Sequence, residues 1–119
     1  MQPNPTIMPD AHPHAEHRYL YIDHVEAHPS IPLKGKANKY TSHNGHMFSC
    51  INKDSDVGVR LGKEEREAFL AEHGTELLVS YNTVMKEYVV VPESILHDRA
   101  AFHALLDQGF AYVDGLKPK

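Results

Sequence analysis

Residues 36–61, KANKYTSHNGHMFSCINKDSDVGVRL, decide the fold. Asn44-Gly45 sits at their middle, and a tight two-residue hairpin turn needs positive φ at both positions, which Asn and Gly tolerate best. The pair therefore predicts strands over Lys36–His43 and His46–Asn52. Lys53-Asp54-Ser55-Asp56 reads as a second turn into Val57-Gly58-Val59-Arg60-Leu61. There Val57, Val59 and Leu61 share one face and Gly58 and Arg60 the other, the period of a strand with one buried side.

Downstream, Gly62 opens a helix over Lys63–His73 whose early Glu64, Glu65 and Glu67 complement the positive end of the helix dipole. Gly74 suits the left-handed position that closes it. Glu76–Tyr81 and Met85–Val91 read as two further strands around Asn82-Thr83, stopped by Pro92. Tyr88-Val89-Val90-Val91, the most β-prone run, is expected in the middle of the sheet. Asp98 caps a last helix carrying Phe102, Leu105, Leu106, Phe110 and Val113 on one stripe.

Upstream, Ala15–Ala27 holds neither Gly nor Pro and offers Tyr19, Ile22 and Val25 at three-residue steps, so it reads as a first helix ended by Pro29 and Pro32. Pro3, Pro5, Pro9 and Pro13 exclude a helix before it, and residues 1–12 are expected to be a flexible Pro/His-rich tail. Residues 13–119 then form a single two-layer α+β domain in the order α-β(3)-α-β(2)-α. Its one five-stranded antiparallel sheet carries helices mainly on one face.

Twelve Lys and Arg against sixteen Asp and Glu give a net charge of −4 over 119 residues, which argues against a module that grips nucleic acid or an anionic membrane by bulk charge. Cys50 is the single cysteine, so no intrachain disulfide can form. Neither a secretory signal nor a run of about 18 apolar residues is visible, and a cytoplasmic protein is expected.

Three segments carry a family resemblance. Asn44-Gly45-His46-Met47-Phe48, then Val59-Arg60-Leu61 before Lys63-Glu64-Glu65-Arg66, then Met85-Lys86-Glu87-Tyr88-Val89-Val90-Val91-Pro92 resemble the TfoX N-terminal domain family in order and spacing. Ala111-Tyr112-Val113 and Leu116-Lys117-Pro118-Lys119 are similar to its last helix and end. The resemblance covers roughly residues 34–119 and implies the secretion-chaperone-like α+β fold. The family's namesake regulates natural competence as a two-domain protein, and this chain resembles the first domain without the C-terminal one. The family supplies no catalytic residue set. Where it usually carries Met-Phe-Gly after the first helix, this chain reads Lys36-Ala37-Asn38-Lys39-Tyr40.

Two constellations could carry chemistry. Ten histidines are several times the usual share, and on a helix continued to His28 the residues His17, His24 and His28 fall on one side. That spacing suits a divalent ion such as zinc or nickel, with Glu16 as an oxygen donor; a histidine-rich face without metal is the plainer reading. Glu87 shares a strand face with Met85, Val89 and Val91, whereas Lys86 and Tyr88 point the other way. A charge there needs a partner, with Arg60 or Lys86 as candidate cations, and the alternative is a ligand pocket of Arg60, Lys86, Glu87 and Tyr88. Cys50 lacks an adjacent base or cation and reads as a core residue.

The leading expectation is a non-enzymatic protein-binding or regulatory module acting as a homodimer. A metal-responsive protein using the N-terminal histidines is the second reading. An enzyme or small-ligand binder with its pocket at Arg60, Lys86 and Glu87 is the third.

Overall fold

A computed structural model describes residues 16–119; the tail expected over residues 1–12 lies outside the described residues. The chain runs α1 (Glu16–Ala27), β1 (Tyr40–His43), β2 (His46–Ile51), β3 (Val57–Arg60), α2 (Lys63–His73), β4 (Leu77–Ser80), β5 (Thr83–Val90), α3 (Glu93–Leu96) and α4 (Arg99–Asp114). The strands form one antiparallel sheet in the order β1-β2-β3-β5-β4. This is the expected α+β architecture with one added turn of helix, α3, which starts behind Pro92 and buries Ile95 and Leu96. The strand run ending at Val90 lies inside the sheet, between β3 and β4, while β3 is the central strand.

Local chemistry sets these boundaries. Asn44 and Gly45 take φ of 58° and 78°, as the hairpin turn requires, and Gly74 closes α2 at φ 60°. The Asp98 side chain accepts from the Ala101 amide at 3.1 Å and caps α4. The first strand is shorter than expected. Lys34 and Tyr40 exchange backbone hydrogen bonds of 2.8 and 3.1 Å, so residues 35–39 turn back on themselves instead of extending β1.

Helix α4 lies across β2 and β3, and α1 packs against α4, α3 and β3. Tyr21, Phe48, Val59, Val89, Phe102 and Leu106 fill the space between the layers. Gly109 lets α4 close on the sheet, since a Cβ there would stand 3.0 Å from Val59 and 3.1 Å from the Arg60 carbonyl oxygen.

Helix α1 presents a different face from the expected one. His17, Tyr21, His24 and Val25 are buried, whereas Tyr19 is 74% exposed. The imidazole rings bury because each finds hydrogen-bond partners inside, and they displace the thinner Tyr19–Ile22 stripe from the core.

Strict alternation also fails at two places in the sheet. Between β1 and β2 the register slips at Thr41 and Ser42 and passes over Phe48 of β2, so Phe48 joins the core under the helices while Ser49, its neighbour, bonds to Tyr21 on the same side. On β5 the step from Leu77 to Leu78 is matched by the step from Val89 to Met85. The unpaired residues between them bend the β4–β5 hairpin across the helix-free face of the sheet. Met85 consequently packs with Tyr88 and Val90, not with Val89 as alternation predicts. Among the described residues, no helix is long and apolar enough to cross a membrane.

Candidate functional site

Folding the β4–β5 hairpin over the sheet leaves a half-open cavity of about 450 Å³. Its walls are Tyr40 from β1, Met47, Cys50 and Ile51 from β2, and Met85 from β5. Its rim carries Asn38, Lys39, Asn52, Lys53, Ser80, Tyr81 and Thr83. Three features hold the hairpin there. Leu78 lies over Gly58, so close that a Cβ on Gly58 would stand 2.6 Å from the Leu78 Cδ2. Asn52 Nδ2 donates to the Val79 carbonyl oxygen at 2.8 Å, while its Oδ1 accepts from the Asp54 and Asp56 amides at 2.9 Å each. One buried side chain thereby shapes the β2–β3 turn and pins the hairpin. At the tip, Asn38 Nδ2 donates to the Tyr81 hydroxyl at 3.3 Å.

The cavity wall is apolar in its chemistry as well as its composition. Burial pushes the Cys50 thiol up to about 12, so it stays protonated at neutral pH and is no nucleophile. Burial likewise raises Tyr88 to about 12, against the opposing Arg60 charge, and its hydroxyl donates to the Met47 carbonyl oxygen at 2.6 Å. Both groups ionise near 9 and 10 when unfolded, so the folded state binds the extra protons between those values and about 12. Their contribution is complete below pH 9 and is lost as pH rises through that window. We expect native protein at pH 8 to leave Cys50 unmodified by iodoacetamide, whereas urea-unfolded protein reacts fully. Melting temperature should fall steadily from pH 9 upward; alkylation at equal rates in both states would contradict the assignment.

The polar cluster expected on β3 and β5 is brought together only in part. Arg60 Nε and its terminal nitrogen meet Glu87 Oε1 at 2.8 and 2.7 Å, and the Tyr112 hydroxyl donates to Oε2 at 2.9 Å. The Arg60 guanidinium carbon lies 5.6 Å from the centre of the Tyr112 ring. Burial pushes the Glu87 carboxyl up, but the hydrogen bonds from Arg60 and Tyr112 and the charges of Arg60 and Arg66 outweigh it, and it titrates below its ordinary range. Both carboxylate oxygens are thus engaged within the protein. Lys86 is exposed and takes no part in this pair. Tyr88 is the register partner of Arg60, yet its hydroxyl turns to Met47.

The three N-terminal histidines serve as separate tethers of α1. His17 Nδ1 bonds to the Ser55 carbonyl oxygen at 3.1 Å and Nε2 to Glu93 at 2.8 Å. His24 Nε2 donates to the Leu96 carbonyl oxygen at 2.6 Å, and its Nδ1 accepts from Arg99 Nε at 3.3 Å. His28 follows the helix end and pairs with Asp107 at 2.8 Å, its Nδ1 accepting from the Ser30 amide. Their nitrogens point at six different partners, and among the described residues no group of three or more His, Cys, Asp or Glu could hold a metal ion. His103 donates to the His24 carbonyl oxygen and Arg99 pairs with Asp23, so the tethering continues on α4.

No protein family model, curated protein or solved structure matches the chain.

Proposed function

We propose that the chain is a non-catalytic binding module whose binding element is the cavity under the β4–β5 hairpin. The observation that carries this reading is an apolar hollow of about 450 Å³, walled by two thioethers, a phenol ring and a protonated thiol and rimmed by polar groups. Pockets of roughly 300–1,000 Å³ with this mix suit small molecules. Met47 and Met85 both lie in segments that resemble the TfoX N-terminal domain family, Met85 in the most specific of them, so the resemblance and the cavity share these residues. A catalytic reading lacks a group to perform it: the Glu87 carboxylate is spent on Arg60 and Tyr112, and the thiol keeps its proton.

Melting followed by circular dichroism in the presence of small apolar compounds tests the proposal. A ligand at about 100 times its Kd adds about 2.7 kcal/mol, which raises the melting temperature by roughly ten degrees in a domain of this size. Thr83→Trp, on the exposed rim, should obstruct entry and reduce the shift. A compound set that stabilises nothing, or a shift indifferent to Thr83→Trp, defeats the reading.

A second reading, association of two copies, is favoured by the outer side of the same hairpin. Val79 and Val84 pair across it at 47% and 49% exposure, beside Tyr81 at 69%. Contiguous exposed apolar side chains of this kind mark contact surfaces. Sedimentation over a dilution series should show a dimer that Val84→Lys dissociates; a monomer at every concentration excludes it.

A further inference from the structure

We infer that the cavity takes a small amphipathic carboxylate, with an aliphatic body between Met47 and Met85 and its head group at the rim between Lys39 and Lys53. The inference rests on the binding reading above and adds the chemical class of the ligand. Its first support is charge. The chain as a whole is acidic, at −4, yet the residues lining this cavity include two lysines and not one Asp or Glu. Asp54 and Asp56, one and three residues after Lys53, do not line it; their amides are drawn to the Asn52 side chain. The rim is thus a local reversal of sign at the mouth of an uncharged hollow. Such an arrangement favours a ligand with one anionic end.

The second support is how one of the two lysines is held. Lys39 Nζ donates to the Gly35 carbonyl oxygen at 3.0 Å, which restrains the ammonium and leaves two hydrogens for an anion. The third is the wall itself. Thioethers adapt to the shape of an apolar guest, and with Ile51 and the protonated Cys50 they offer no strong donor, which leaves the Tyr40 hydroxyl as the one strong polar group of the wall. A charged head therefore has one place to sit, and an apolar tail the other.

The test uses protein labelled with ¹³C at the methionine methyls, with the Met47 and Met85 resonances assigned by Met→Leu substitutions. Octanoate and 1-octanol are titrated separately. We expect octanoate to shift both methyls saturably, and K39Q/K53Q to weaken it about tenfold, each exposed ion pair accounting for roughly threefold. Binding of 1-octanol should be unchanged by the double variant, and K53Q alone should weaken octanoate about threefold. If octanoate and octanol bind alike and neither responds to the lysines, the carboxylate inference is overturned while the binding reading stands. If neither compound moves the Met47 and Met85 methyls, both are overturned.

Discussion

Gly58→Val is expected to cost about 2 kcal/mol and to lift the β4–β5 hairpin off the sheet. Gly58 sits on the central strand, where a valine would ordinarily gain up to about 1 kcal/mol from strand preference. Here a Cβ would meet the Leu78 Cδ2 at 2.6 Å, Cγ at 3.3 Å and Cβ at 3.4 Å, and the two further methyls of valine need still more room. Leu78 is fully buried and clusters with Cys50 and Tyr88, so a shift of its side chain disturbs both. The crowding therefore passes to the backbone of β4, and the Asn52–Val79 hydrogen bond is the first to stretch. Urea denaturation measures the loss. A double-mutant cycle with Leu78→Ala assigns its cause: if contact with Leu78 is the reason, Gly58→Val should cost at least about 1 kcal/mol less in the Leu78→Ala background. Additive costs would mean that the glycine is needed for something other than the close approach of the hairpin.

That contact also marks the limit of what the sequence discloses. Turn chemistry is local, so Asn44-Gly45, Gly74 and Asp98 place the strand pairs and helix ends by themselves, and the described sheet follows them. The need of Glu87 for a cation is local too, because a carboxylate among apolar neighbours must be paired; Arg60 meets it across the β3–β5 pairing. The cavity has no such local sign. It exists because the pairing of β4 with β5 slips between Leu77 and Leu78, and a slip of register turns side chains to the other face without altering the pattern that predicts them. Met85 moves to the side of Tyr88 for that reason. Asn52 reads as the last residue of the second strand until Val79, far along the chain, is seen to accept from it. The short α3 escapes because four residues cannot display a helical period, and Pro92 looks only like a stop.

His24→Ala is expected to destabilise the protein by about 3 kcal/mol with or without metal ions. The ring is 4% exposed and packs against Phe102, their centres 4.9 Å apart, so truncation opens a space in the core. It also removes the donor from the buried Leu96 carbonyl oxygen and the acceptor from Arg99, loosening the joint between α1 and the α3–α4 corner. A polar group stripped of its partner in the interior costs roughly 1–3 kcal/mol in addition to the lost packing. His24→Gln, whose amide nitrogen can reach where Nε2 stood, should recover part of the loss. His28→Ala should cost less than His24→Ala, since its partner Asp107 lies largely in water. Zinc and nickel discriminate between a tether and a ligand set. A native-state metal site raises stability in proportion to the logarithm of ion concentration, and removing a ligand abolishes that slope. The geometry of three rings, each bonded to its own separate partners, predicts no slope for the wild type, and the same deficit for His24→Ala at every zinc concentration. A melting temperature that climbs with zinc in the wild type and stays flat in His24→Ala would show instead that the rings leave their partners to bind the ion.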